Sequence, residues 1–225
     1  DRRGVAQALN NSAIVLWERQ DWAAARAIYE RVVAIHRETG RQRELAGTLN
    51  NLGLVLKEEG RLDEAIRTHR EALQIQRETG EQQGQALSLN NLAQALELRG
   101  DVVGARAMIV EALGIFREIG SKASAGDALI NIAALDQDHD LTQAALGYAE
   151  AVELKREARD QRGLATALTG LGTVLRLRGD FSGALQHQEE ARALRRDIGE
   201  IARPFVSEIE LALIALDEGD TNRSE

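Results

Sequence analysis

The chain has 225 residues, with 28 Lys and Arg against 36 Asp and Glu, which gives a formal net charge of −8 at neutral pH. It contains no Cys and a single Pro, so a disulfide framework and thiolate chemistry are excluded. The acidic balance argues against nucleic acid and against an anionic membrane surface as partners, because phosphate binding needs clustered Lys and Arg.

Glycine recurs every twenty residues along the chain, and the series shifts by one residue in its second half. Its members are Gly40, Gly60, Gly80, Gly100, Gly120, Gly179, Gly199 and Gly219. Glycine ends helices at low cost because it adopts the left-handed backbone that a helix C-terminus needs. The spacing therefore predicts two helices of about 15–17 residues in each forty-residue unit.

The first helix of each unit carries a related segment that begins with Leu and contains Asn in the first four units. These segments lie at residues 9–13, 49–53, 89–93, 129–133 and 168–172. The last step is one residue shorter than the others, and we place the deletion at residues 136–140. A sixth first helix is predicted from about Pro204 to Glu218, and it is apolar nearly all round. We expect it to be covered by further repeats or by a partner chain, which includes self-association through this C-terminal helix.

The second helix of each unit begins near an Asp-containing turn, carries Ala at matched places and ends with Arg. The matched alanines are Ala25, Ala65, Ala105, Ala144 and Ala184, and the arginines are Arg37, Arg77, Arg117, Arg156 and Arg196. Small residues let helix backbones approach closely. We interpret the arginines as structural, because a cation complements the dipole of a helix at its C-terminus.

These residues resemble the tetratricopeptide repeat, whose signature appears as Leu52-Gly53, Leu56, Ala65, His69 and Ala72. The long unit is similar to the repeats of kinesin light chain and of Pins-type polarity adaptors, and it is common in bacterial signalling ATPases and regulators. The resemblance implies an all-α, right-handed α-solenoid of five helix pairs plus a sixth first helix. We expect one domain over 1–225, with repeats at about 3–40, 41–80, 81–120, 121–159 and 160–199 and a partial repeat at 200–219.

No catalytic, metal-binding or cofactor-binding motif emerges, so we predict no enzyme activity and no cofactor. The four histidines are scattered at spacings that do not suit a metal site. Around His139 we favour a polar turn over a cation site. No membrane span of roughly 18 apolar residues and no signal peptide are recognised, and we expect a cytoplasmic protein. Because the chain begins in register with the repeat and without Met, we expect it to be a segment of a longer polypeptide.

The asparagines of the first helices are the candidate ligand-binding residues. At about 100° per residue, Asn51 points away from the buried direction set by Leu49 and Leu52, whereas Asn50 lies nearer the flank. An amide side chain can both donate to and accept from a peptide backbone. The tetratricopeptide region of O-linked N-acetylglucosamine transferase is similar, and it implies a peptide-gripping row that stops at Gly170. The alternative is that these amides bond neighbouring helices.

The sequence thus predicts a non-catalytic scaffold that binds a peptide or helix of a partner protein in a concave groove, with a preference for basic or neutral partners. Its alternative is the sensor or autoinhibitory arm of a nucleotide-switch signalling ATPase or transcriptional regulator, whose partner is another domain of the same polypeptide. The predicted groove residues are Asn11, Asn51, Asn91, Asn131, Asn10, Asn50, Asn90, Leu54, Lys57, Gln94, Leu98 and Arg176.

Overall fold

The computed structural model describes residues 2–199 and 208–217. Ten helices follow one another as α1 (Arg2–Glu18), α2 (Trp22–Glu38), α3 (Gln42–Glu58), α4 (Leu62–Thr79), α5 (Gln82–Leu98), α6 (Val102–Glu118), α7 (Lys122–Asp136), α8 (Leu141–Glu157), α9 (Gln161–Leu177) and α10 (Phe181–Asp197). Residues 208–217 form one more helix, α11. The described residues contain no strand, and the predicted all-α solenoid of helix pairs is confirmed. The predicted ends of the sixth first helix, Pro204 and Glu218, lie outside the described residues.

The chain divides into two compact units, Asp1–Ile115 and Phe116–Glu225. In unit 1, α1 packs on α2 and α3 packs on α4, while α2 and α4 each pack on the first helix that follows them. In unit 2, α7 packs on α8 and α9 on α10, and α8 packs on α9. The first helices α3 and α5 also contact each other, as do α7 and α9. The first helices of neighbouring repeats are therefore in direct contact at these two places.

The turns between helices follow the glycine series. Each predicted turn glycine within the described residues has a positive φ, from 67° at Gly40 to 90° at Gly100. Gln20 and Arg159 adopt the same left-handed conformation, with φ of 61° and 56°, in turns where the glycine is missing. The turn geometry is thus kept even where a side chain makes it less favourable. Gly219 lies outside the described residues.

Small buried residues set the spacing between helices. The five matched alanines of the second helices are fully buried, and so are the residues seven positions later, Val32, Ala72, Ala112, Ala151 and Ala191. Side chains of this size allow close approach of helix backbones, and two such residues lie on one face because seven residues make about two turns. Within the described helices, none is long and apolar enough to cross a membrane.

The arginines that end the second helices form ion pairs with the second helix of the next repeat. The pairs are Arg37–Glu71 at 2.6 Å, Arg77–Glu111 at 2.5 Å, Arg117–Glu150 at 2.5 Å and Arg156–Glu190 at 2.7 Å. All eight side chains are between 36% and 55% exposed, so each pair contributes about 0–1 kcal/mol. The interpretation of these arginines as structural is therefore supported by four Arg–Glu ion pairs. Each pair joins one second helix to the second helix of the next repeat.

Candidate functional site

The solvent side of the first helices in unit 1 presents one repeated set of four positions. The positions are spaced i, i+4, i+7 and i+11, which places them on one face of each helix. We call this set the first-helix stripe. It consists of Gln7, Asn11, Ile14 and Glu18 on α1, Gly47, Asn51, Leu54 and Glu58 on α3, and Leu87, Asn91, Gln94 and Leu98 on α5, all of them exposed or half-buried.

The first-helix stripe combines amides with apolar side chains. Asn51 and Asn91 are half-buried and Asn11 is exposed, so all three predicted amides reach the surface of unit 1. Leu87 and Leu98 add apolar area, with 49% and 63% of their surfaces accessible. This composition can supply hydrogen bonds and apolar contacts to the same ligand.

Two hydrogen bonds hold amide side chains of the stripe in place, and one of them comes from the neighbouring Lys57. Gln7 Nε2 donates to Asn11 Oδ1 at 3.1 Å along α1. Lys57 Nζ donates to Gln94 Oε1 at 3.0 Å, which ties α3 to α5. Lys57 also lies 3.5 Å from the Glu58 carboxylate, so its charge is balanced within α3. The predicted Lys57 and Gln94 are thus brought together.

Asn50, which we predicted on the flank of the groove, sits at a three-helix junction. Its Nδ2 donates to Ser88 Oγ of α5 at 2.6 Å, and its Oδ1 lies 3.1 Å from His69 Nδ1 of α4. Burial, with a smaller contribution from the charge of Lys57, lowers the pKa of His69 to about 4. His69 is therefore neutral at physiological pH, and the Asn50 amide bridges α3, α4 and α5.

The other flank asparagines occupy the same junction in neighbouring repeats. Asn90 Oδ1 is buried and has no hydrogen-bond partner among the described residues. Asn10 lines an open pocket between α1, α2 and α3. The two predicted rows thus differ in kind, because Asn51 and Asn91 belong to the stripe and Asn50 belongs to the packing between helices.

Unit 2 carries the two remaining predicted residues. Asn131 is exposed on α7. Arg176 on α9 pairs with Asp217 of α11 at 2.6 Å and lies 3.5 Å from the Glu210 carboxylate. Arg176 is therefore engaged by the last described helix of its own unit, and Asn131 is the predicted amide of this unit that faces solvent.

Comparison with known proteins identifies the repeat. The sequence profile of the tetratricopeptide repeat matches residues 4–78 and 44–118, and a second profile of the same description matches residues 164–198. The chain belongs to the tetratricopeptide repeat family. No curated protein sequence matches it.

This chain is also similar to several solved structures. BtubC from P. vanneervenii has a TM-score of 0.78 at 21% identity, over 87% of this chain and 82% of that one. A putative kinesin light chain from Podosopora anserina, with nearly identical TPR-like repeats, has a TM-score of 0.71 at 18% identity, over 85% of this chain and 95% of that one. The resemblance to kinesin light chain repeats is confirmed at the level of fold.

A third neighbour belongs to a larger protein. The STAND protein PH0952 from Pyrococcus horikoshii, which has a tetratricopeptide repeat sensor, has a TM-score of 0.81 at 13% identity, over 93% of this chain and 32% of that one. Tetratricopeptide repeats of this kind generally act as non-catalytic scaffolds, and the fold suggests a role in protein–protein interaction. Among the described residues, no three His, Asp or Glu side chains come together as metal ligands would.

Alignment of the repeats also identifies one buried position whose residue type varies between repeats, which the sequence analysis did not recognise. It lies in the last turn of each second helix and holds His36, Gln76, Phe116, Lys155 and Arg195, each at most 8% exposed. The sequence does indicate this position. When the five repeats are aligned, its residue type changes in every repeat, whereas the positions next to it stay similar. A buried polar group must find partners, so each repeat has a distinct junction.

Gly170 replaces the stripe asparagine in the fifth repeat because an aromatic ring takes the space. A Cβ atom at Gly170 would lie 2.3 Å from Tyr148 Cε1, inside the ring's van der Waals surface. Tyr148 is buried in α8 and cannot move away freely. The departure at Gly170 that we noted in the sequence therefore has a packing cause within unit 2.

Replacing Gly170 by Ala is expected to lower the free energy of unfolding by about 1–3 kcal/mol, because overpacking outweighs the helix propensity of Ala. Gly47→Ala is the matched control, since it also lies inside a first helix but has open space around its Cβ direction. That change should raise stability by about 0.5–1 kcal/mol. Urea unfolding followed by circular dichroism measures both. Equal effects of the two substitutions would contradict the packing explanation.

Proposed function

We propose that the first-helix stripe of unit 1 binds an extended peptide or an amphipathic helix of a partner protein. The observation that carries this proposal is the repetition of a surface amide beside apolar side chains on three successive first helices. Asparagine inside a helix costs about 0.6 kcal/mol relative to alanine. Three such residues at one surface position are therefore better explained by a ligand than by helix stability.

The chemistry of the stripe favours a partner with accessible backbone and little negative charge. Each amide–backbone hydrogen bond contributes about 0.5–1.5 kcal/mol, and it does so with little regard to side-chain sequence. Ile14, Leu54 and Leu98 add apolar contacts that an amphipathic segment can cover. Glu18 and Glu58 at the end of the stripe repel acidic segments, so charge acts on selectivity and on the rate of association. A cytoplasmic partner fits this reading.

The test uses a phage-displayed library of random 16-residue peptides, from which binders to the intact chain are selected. For the best peptide, the double variant Asn51→Ala and Asn91→Ala is expected to weaken binding by about ten- to hundredfold, since two hydrogen bonds to the ligand are lost. The same variant should unfold at equal or higher urea concentration, because alanine favours the helix. Isothermal titration calorimetry and circular dichroism give the two readouts.

Gln74→Ala is the matched control, because Gln74 is an exposed amide on the second helix α4 and its Nε2 donates along that helix, to Glu78. It should leave peptide affinity within about twofold, as surface substitutions away from a site do. Affinity that stays unchanged in the Asn51 and Asn91 variant, together with lower stability, would mean that these amides bond helices instead.

The alternative, a sensor or autoinhibitory arm of a nucleotide-switch ATPase or regulator, is favoured by the likeness to the repeat sensor of PH0952, of which this chain spans about a third. In that case the stripe would bind another domain of the same polypeptide. A phosphate-binding loop elsewhere in the full-length polypeptide would favour this alternative. The domain that contains this loop, expressed separately, should then compete with the selected peptide for binding to the stripe.

A further inference from the structure

An open pocket lies at the junction of α1, α2 and α3, beside the first-helix stripe. Its volume is about 390 Å³, and its polar lining includes Asn10, His36, Glu44, Thr48 and Asn51. At its wall, His36 is 8% exposed, and its Nδ1 has no hydrogen-bond partner among the described residues. A buried polar atom without a partner is costly, so this junction is short of one hydrogen-bonding group.

The next junction along the chain, between α3, α4 and α5, contains such a hydrogen-bonding group in the amide of Gln76. There Gln76 holds the place of His36, and its amide satisfies its neighbours when the nitrogen lies 2.5 Å from Ser88 Oγ and 3.1 Å from the Gly84 carbonyl. The amide oxygen then accepts from Asn50 Nδ2 at 3.2 Å. A primary amide is thus the group that this three-helix junction accommodates when it is filled.

Three of the residues that surround Gln76 have counterparts forty positions earlier that line the pocket. Asn10 corresponds to Asn50, Thr48 to Ser88 and Glu44 to Gly84. The Thr48 hydroxyl donates to the Glu44 carbonyl of its own helix at 2.9 Å, so it does not close the junction to α2. The first junction thus repeats polar groups of the second junction, except that His36 stands where the second junction has the amide of Gln76.

Gly47 lines the pocket and has no side chain that could fill it. The equivalent position in the third repeat is Leu87, whereas a Cβ atom added at Gly47 would meet nothing within 4 Å. Gly47 also belongs to the first-helix stripe, so a ligand on the stripe passes the mouth of the pocket. A side chain of such a ligand can reach inward past this residue.

The charged groups of the lining are Arg3, Arg41 and Glu44, and they lie among hydrogen-bond donors and acceptors. Arg41 lies 3.7 Å from the Glu44 carboxylate, so one cation of the pocket already faces an anion. Arg3 has an interaction of its own. An entering carboxylate would meet the negative charge of Glu44 and could only accept hydrogen bonds, whereas an amide can use both the donors and the acceptors of the lining.

We propose that this pocket binds a primary carboxamide, namely the side chain of an Asn or Gln that a bound partner peptide presents beside Gly47. The proposal deepens the proposed function and rests on it for the source of the amide. The pocket itself can be tested without a peptide, so that failure of one proposal is distinguishable from failure of the other.

The test is a titration of the isotope-labelled chain with acetamide, followed through the Thr48 backbone amide and the His36 ring in NMR spectra. Sodium acetate at matched ionic strength is the second probe. We expect saturable shifts with acetamide, with a Kd on the order of 10–100 mM for so small a ligand. Acetate should bind at least fivefold more weakly. Absence of a saturable acetamide shift, or equal binding of acetate, would overturn the proposal.

Gly47→Leu introduces the residue of the third repeat and should reduce acetamide binding at Thr48 at least fivefold. Gly114→Leu is the matched control, since Gly114 is also an exposed helix glycine with free space around it. It should leave binding unchanged. Acetamide binding that persists in Gly47→Leu would contradict the location. If acetamide binds but the Asn91→Ala variant leaves selected peptides unaffected, the pocket stands and the stripe proposal fails.

Discussion

Replacing both Asp127 and Asp160 by Asn is expected to lower the free energy of unfolding of unit 2 by about 3 kcal/mol, because a buried ammonium loses its counter-charges. Lys155 is fully buried, and its Nζ lies 2.6 Å from an oxygen of each aspartate. The charge of Lys155, with which it is hydrogen-bonded, lowers the pKa of Asp160 below its usual value. The Asp160 carboxylate is therefore charged at neutral pH, and it faces the buried lysine together with Asp127.

The substitution isolates charge from other roles of these residues. Asp160 also caps α9, where its Oδ1 accepts from Gly163 N at 2.9 Å, and asparagine serves equally well as a helix cap. Hydrogen exchange of the α8 and α9 amides measures the local loss of stability, which suits a repeat protein whose units open separately.

Adding Lys155→Met to the double variant should restore most of the lost stability, since the buried ammonium that lost its counter-charges is then removed. Glu157→Gln is a matched control, because it breaks the Lys122–Glu157 pair on the surface, where both side chains are about half exposed. That change should cost less than about 0.5 kcal/mol. A triple variant as unstable as the double variant would show that lost packing, rather than the buried charge, causes the effect.

The repeat architecture was predictable from the sequence because it depends on features that each repeat shows by itself. Turn glycines, the buried alanines such as Ala65, and the amphipathic spacing of the first helices all act locally. Five copies made the pattern unambiguous. The direction of the stripe residue Asn51 also followed from helical geometry, because it depends only on the buried face of α3.

The junctions were not predictable, because they depend on which side chains meet across three helices. Asn50 and Asn51 are neighbours in sequence, yet only Asn50 reaches Ser88 and His69, which lie in two other helices. The partners of Arg37 and of Lys155 likewise lie in other helices or in turns. Residue type at a single position does not contain such information, whereas the variable column at His36 and Gln76 marks where to look for it.

Lowering the pH from 7 to about 4 is expected to remove roughly 3 kcal/mol of stability through His69 alone. The ring is fully buried against α3, and burial lowers its pKa from 6.5 to about 4. Its Nδ1 lies 3.1 Å from Asn50 Oδ1, and its buried Nε2 has no partner among the described residues. A proton on this ring would thus create a buried charge without a counter-ion.

Stability falls as the pH falls because the unfolded chain binds a proton at this histidine at a higher pH than the folded chain does. The pKa of a histidine in the unfolded chain is near 6.5, so below that pH the unfolded state takes up a proton that folded His69 refuses. The contribution of neutral His69 is therefore complete above about pH 6.5 and declines as the pH falls toward the folded-state pKa of about 4. Below that value the loss stays constant.

His69→Gln is the variant that isolates this effect, because the fifth repeat places Gln188 at the same position. Both residues face a glycine, since a Cβ at Gly53 would lie 2.5 Å from His69 and one at Gly172 would lie 2.8 Å from Gln188. Urea unfolding at pH 7 and pH 4.5, followed by the fluorescence of Trp17 and Trp22, gives the free energies. The variant should lose clearly less stability than the wild type between these two pH values. An equal loss in both proteins would mean that other groups, such as His36 and the carboxylates, cause the acid sensitivity, and that the buried ring of His69 accepts its proton without cost.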